Sequence, residues 1–211
     1  MNRASGRTEF STDLYLSELI TALSAIDRVA LERVAELLWL AHGTGRTVFC
    51  CGNGGSAAIA AHWATDLAKL TAHPGRPGLR VLSLTDSPST ITAAANDIDF
   101  SEVFAEQLRT FMGRGDVVIG ISTSGRSANV IRALEYANLN GAVSIGVTGS
   151  GDSLLRRVAR EVLVIASDNV QHIEDAAGIV AHLACLLTRQ RLSEPSPVEV
   201  AAGALVADAT V

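Results

Sequence analysis

The chain has 211 residues, 48% of them hydrophobic and 18% charged, with a formal net charge of −5, a pI near 5.5 and a mean hydropathy of +0.28. That length holds one α/β domain with a full core, and two domains would be a tight fit. The acidic balance excludes a chain-wide basic footprint for nucleic acid, and no apolar run reaches the roughly 18 residues of a membrane span.

Residues 1–12 are polar and are expected to form a flexible N-terminus; residues 1–10 lack the apolar stretch of a signal peptide. From 13 to 42, apolar positions such as Leu16, Ile20, Leu23, Val34 and Leu38 recur at helical spacing and predict two helices broken near residues 24–27. The period then changes. Residues 47–51 read as a buried strand ending in Gly52-Asn53-Gly54-Gly55-Ser56, with a helix over 57–70. A proline- and glycine-rich loop (73–78) leads to a strand at 79–84, a helical stretch near 89–95, the Asn96-Asp97 turn and a helix over 101–111. A third buried strand (116–121) ends in Ser122-Thr123-Ser124-Gly125-Arg126-Ser127 and feeds a helix over 128–139. Strands at 142–147 and 161–165 flank a short helix at 152–158, and a long helix spans 170–191. The 193–211 tail carries Pro195 and Pro197 and then turns alanine- and valine-rich.

Short continuous apolar strands alternating with helices specify a parallel sheet covered on both faces. The fold class is therefore α/β: a single domain over 13–192, with a helical preface (13–42) on a core (43–192) built around a five-stranded parallel sheet. Cys50, Cys51 and Cys185 sit in hydrophobic stretches without metal-type spacing and read as buried thiols in a reducing cytoplasm. The hydropathy is high for a monomer and points to a large core or to subunit interfaces.

Ligands of parallel sheets bind outside the carboxyl ends of the strands, where both small-residue loops lie. The 122–127 loop joins a strand to a helix, whose N-terminus offers free N–H donors and partial positive charge. Its four hydroxyls add donors, and Gly125 lets the backbone close around an anion such as phosphate. The 52–56 loop is built alike, but it matches neither the dinucleotide fingerprint nor the lysine-bearing P-loop.

Together, Cys51-Gly52-Asn53-Gly54-Gly55-Ser56, Ile121-Ser122-Thr123-Ser124-Gly125-x-Ser127 and the Asn96-Asp97 turn resemble the SIS family and, within it, the phosphoheptose isomerases. The similarity runs from about residue 13 to 192. It implies a cytoplasmic homotetramer with active sites between subunits. The implied reaction converts sedoheptulose 7-phosphate to D-glycero-D-manno-heptose 7-phosphate through an enediolate. By position, Ser122, Thr123, Ser124 and Ser127 would hold the phosphate, and Asn53, Gly54, Gly55, Asn96 and Asp97 would line the sugar.

His62 and Asp66, four residues apart, share one face of a helix. Glu174 and His182, eight apart on the long helix, are separated by about 12 Å of rise, with Gly178 between them leaving room for a ligand. Taken singly, His62 beside Trp63, or His182 among Val180, Leu183 and Cys185, could be an ordinary core histidine. The resemblance instead matches His62 and His182 to zinc-ligand histidines, and Asp66 and His182 to an acid/base pair. Two positions depart from the family pattern: Asp66 stands where the family has glutamate, and Glu174 where it has glutamine. A His62, Asp66, Glu174 and His182 set is an N/O coordination sphere suited to one Zn²⁺ per subunit, with Asp66 and Glu174 also facing substrate. The alternatives are an isomerase of another sugar phosphate, or a non-catalytic SIS binding module resembling the replication initiator-associating protein. Such a module lacks the acid/base carboxylate and the second histidine, which this chain keeps.

Overall fold

The computed structural model describes residues 10–72 and 77–192. Most of the expected flexible N-terminus, part of the 73–78 loop and the 193–211 tail lie outside them. Among the described residues the order is α1 (Thr12–Ser24), α2 (Arg28–Gly43), β1 (Thr47–Gly52), α3 (Gly55–Leu70), β2 (Arg80–Ser83), α4 (Pro88–Asp97), a 3₁₀ turn (Phe100–Glu102) and α5 (Ala105–Phe111). It continues with β3 (Val117–Ile121), α6 (Ala128–Leu139), β4 (Val143–Gly149), α7 (Leu154–Val158), β5 (Glu161–Ile165) and α8 (Val170–Arg191).

All four strand pairings are parallel, in the order β2-β1-β3-β4-β5. Side chains alternate between the faces of a strand, and β1 shows the consequence. Val48 and Cys50 join a core with Leu38, Trp63, Leu67, Val180 and Cys185 from α2, α3 and α8. Phe49 and Cys51 join the opposite core with Val103, Phe104, Leu108 and Leu134. The result is three layers, with the preface helices packed against α8.

The expected break in the preface falls where Asp27 begins α2, its Oδ1 accepting the N–H groups of Val29 (2.9 Å) and Ala30 (3.1 Å). The expected continuous helix over 101–111 is a difference. Asp99 Oδ1 accepts the Ser101 N–H at 2.7 Å and tightens a 3₁₀ turn, and α5 starts only at Ala105. The three thiols are buried as expected. Among the described residues no helix is long and apolar enough to cross a membrane.

This strand order reverses direction between β1 and β3, and open parallel sheets bind ligands at such a switch point. The 52–56 loop follows β1 and the 122–127 loop follows β3, so the two motif loops flank one crevice.

Candidate active site

At the β3 end, Gly125 donates to the Ser122 carbonyl at 3.0 Å and closes a turn with its φ at +60°. A Cβ there would overlap Ser153 and approach Thr148 Oγ1 to 2.8 Å, so glycine is required twice over. Ser122 is buried, and its Oγ lies 3.0 Å from Ser127 Oγ. Ser127 caps α6 without a side-chain bond to it. Among the described residues the N–H groups of Ser127, Ala128 and Asn129 have no partner. Hydroxyls and free N–H groups at a helix start form an anion cradle.

The β1 end differs. Gly54 caps α3 at φ +55° with no side-chain bond, and a Cβ on Gly55 would overlap the Glu174 carboxylate. Glu174 therefore already sets a negative charge over the start of α3. A phosphate about 4 Å from it would meet a repulsion of about 4 kcal/mol per unit charge at an effective dielectric of 20. The start of α3 is therefore a poorer anion site than the 122–127 loop.

α3 and α8 pack side by side, and both start at the carboxyl edge of the sheet. Glu174 meets the start of α3, and about two turns further His182 meets His62. The Nε2 atoms of the two histidines are 2.8 Å apart, and Asp66 Oδ2 is 3.4 Å from each. The rings meet nearly edge to face, at 79°. Neither histidine is a core residue: their side chains are 54% and 52% exposed, while neighbouring Trp63 is wholly buried. Burial first, and then the charge of Asp66, push the Cys185 thiol up to about 12.

With both imidazole protons on Nδ1, the three atoms are all acceptors aimed at one point, and a metal ion among them satisfies all three. Tetrahedral zinc with ligands at ~2.0–2.1 Å has edges of ~3.3–3.4 Å, which the two carboxylate edges match and the His–His edge undershoots by about half an ångström. The donor set of two imidazoles and a carboxylate, half open to solvent, fits a catalytic zinc. Among the described residues it is the group placed to hold a metal.

Glu174 is outside that cluster. The family resemblance makes it an expected fourth ligand, but about 12 Å of rise along α8 separates it from His182 and it lies against Gly55 at the crevice end. Gly178, between the two, has open space where its side chain would be. Asn96 and Asp97 close α4; both are exposed, and Asn96 Nδ2 donates to Asp97 Oδ1 at 2.8 Å. Asp97 also lines an open cleft of about 480 Å³ with Ser89, Thr90 and Glu106. Two buried residues behind the loops had no sequence signal: Ser153 against Gly125, and Asn129 bonded to Asn53.

The SIS domain profile matches residues 14–149. The phosphoheptose isomerase of Solidesulfovibrio magneticus is 37% identical over 191 residues, which is 90% of this chain and 86% of that protein. That of Aneurinibacillus thermoaerophilus is 31% identical over 88% of this chain and 93% of its own length. A solved phosphoheptose isomerase from Francisella tularensis superposes with a TM-score of 0.78 at 30% identity, covering 84% of this chain and 96% of that one. By sequence, by superposition and by the motifs on its two crevice loops, the chain belongs to the SIS-domain family and, within it, to the phosphoheptose isomerases.

Proposed function

We propose that residues 13–192 form the working domain of an enzyme that interconverts sedoheptulose 7-phosphate and D-glycero-D-manno-heptose 7-phosphate. The observation that carries this reading is the convergence of Asp66 with His62 and His182 on helices that start at the two-loop crevice. Ser122, Thr123, Ser124 and Ser127 seat the phosphate. Asn53, Gly54, Gly55 and Glu174 line the sugar chain, joined by Asn96 and Asp97 in the assembled protein.

In the ketose-to-aldose direction, one member of the Asp66/His182 pair removes the proton from the carbon beside the carbonyl. An enediolate forms, and the other member directs a proton to the neighbouring carbon. The same pair with exchanged roles serves the reverse direction, as microscopic reversibility demands. A zinc ion on His62, Asp66 and His182, one per subunit, would polarise the carbonyl and stabilise the charge developing on oxygen, leaving the second Asp66 carboxylate oxygen and the His182 Nδ1 for proton transfer.

The half-exposed histidines lie among exposed apolar residues of α8 (Ile179, Leu183 and Leu186), and α1 exposes Leu16 and Ile20. A homotetramer whose subunits cover these faces would exclude water from the reacting atoms. Three buried, unpaired thiols suit the cytoplasm. A non-catalytic binding module has no use for a carboxylate held against two imidazoles.

The test is the reaction run in deuterium oxide. The aldose product should carry one deuterium at C2. Failure to form product, or product that stays protium-only at C2 over many turnovers, would refute the enediolate reading.

A further inference from the structure

The two crevice loops are joined by a pair of side chains. Asn53 Nδ2 donates to Asn129 Oδ1 at 2.8 Å, and Asn129 Nδ2 donates back to Asn53 Oδ1 at 2.8 Å. Asn129 is 2% exposed, stands in the first turn of α6 two residues after Ser127, and is 76 positions from its partner. Its Oδ1 also accepts the Val130 N–H at 2.9 Å, which uses both lone pairs of that oxygen.

A carboxamide has two N–H donors and two acceptor lone pairs. The reciprocal pair takes one of each from Asn53, and because the Val130 N–H marks the oxygen end of Asn129, it also fixes which end of the Asn53 amide is nitrogen. Asn53 is only partly buried, so one N–H and one lone pair stay available on the crevice side. An amide locked this way meets a sugar hydroxyl or carbonyl without first losing rotamer freedom. The same two bonds tie the 52–56 loop to the helix whose start cradles the phosphate.

On the reading of the crevice given above, we infer that Asn129 is a positioning residue. It holds Asn53 in one amide orientation and sets the distance between the sugar-lining loop and the phosphate cradle. It touches no substrate itself. Anchoring of the phosphate thereby fixes the register of the sugar chain against Asn53.

The experiment is a double-mutant cycle of Asn53→Ala and Asn129→Ala, read as kcat, KM and inhibition by inorganic phosphate. Wild-type turnover of sedoheptulose 7-phosphate is measured alongside; its absence would overturn the crevice reading and, with it, this role. Given that turnover, Asn129→Ala should lower kcat by roughly 10²-fold, the size of an ångström-scale misplacement. Phosphate inhibition should stay within about twofold, because the cradle's hydroxyls and N–H groups are untouched. The double variant should be no worse than Asn53→Ala alone, since both changes remove one unit. Asn129→Ser guards against misfolding: its hydroxyl can still cap the Val130 N–H but cannot reach Asn53, and it should show the same kcat loss in a fully folded protein. Additive losses, or wild-type kcat in Asn129→Ser with only a lower unfolding midpoint, would reduce Asn129 to a packing residue and overturn the inference.

Discussion

Gly125 offers a quantitative check on the phosphate cradle. Substituting alanine forces a side chain into the left-handed region at φ +60°, which costs roughly 1–2 kcal/mol. The new Cβ would also overlap Ser153 and crowd Thr148 Oγ1, and overpacking of this kind costs about 1–3 kcal/mol more. The sum is about 2–5 kcal/mol. Two other glycines separate these contributions. Gly54 has φ +55° with nothing near its missing Cβ, so Gly54→Ala should lose only the backbone part, roughly 1–3 kcal/mol. Gly151 has ordinary φ and open space, so Gly151→Ala should fall within about 0.5 kcal/mol of wild type. Urea unfolding at fixed protein concentration measures all three, and the order of midpoints should be Gly151→Ala, then Gly54→Ala, then Gly125→Ala. Equal midpoints for Gly151→Ala and Gly125→Ala would mean that neither the backbone nor the Ser153 wall constrains the loop, refuting the reasoning.

Asp66→Asn and His182→Ala should each lower turnover by about 10²–10⁴-fold, the usual share of a general acid or base, with phosphate inhibition little changed; wild-type turnover in both variants would discard the acid/base assignment. Burial holds the Cys51 and Cys185 thiols at about 12 in the folded protein, above the ordinary thiol value of 9.0. Their contribution to stability should be complete below pH 9 and disappear between pH 9 and 12, because the unfolded chain releases those protons first. A flat urea midpoint across that range would contradict it, and Cys51→Ala should shallow the decline. Ile20→Glu on α1 and Leu186→Glu on α8 place charges on exposed apolar faces; if these faces hold the proposed tetramer together, both variants should sediment as smaller species than wild type, and unchanged sedimentation of both would move the subunit contacts elsewhere.

The sheet was legible because strands buried on both faces read as unbroken apolar runs, and the loops because their small residues interrupt those runs at strand ends. The pairing of His62 with Asp66 was legible because helical spacing is local arithmetic. The 3₁₀ turn was not, since a capping bond from Asp99 to Ser101 competes with helix in a stretch whose composition suits either. Glu174 shows the limit of a stripe argument: positions 174, 178 and 182 share a face, but their stagger against α3 depends on how two helices 120 residues apart pack. That stagger puts Glu174 over Gly55 and His182 beside His62. Asn129 and Ser153 act through partners 76 and 28 positions away, and no periodicity within either segment points to such a partner.

The centre formed by His62, Asp66 and His182 carries the proposed chemistry. Its decisive measurement is turnover of sedoheptulose 7-phosphate, with metal content determined on the same samples, for protein loaded with zinc, stripped by chelator and reloaded. One zinc per subunit is expected, with a fall in turnover on stripping, recovery on reloading, and loss of both zinc and turnover in His62→Ala. Full turnover from protein shown to be free of metal, or undiminished zinc binding in His62→Ala, would contradict that expectation.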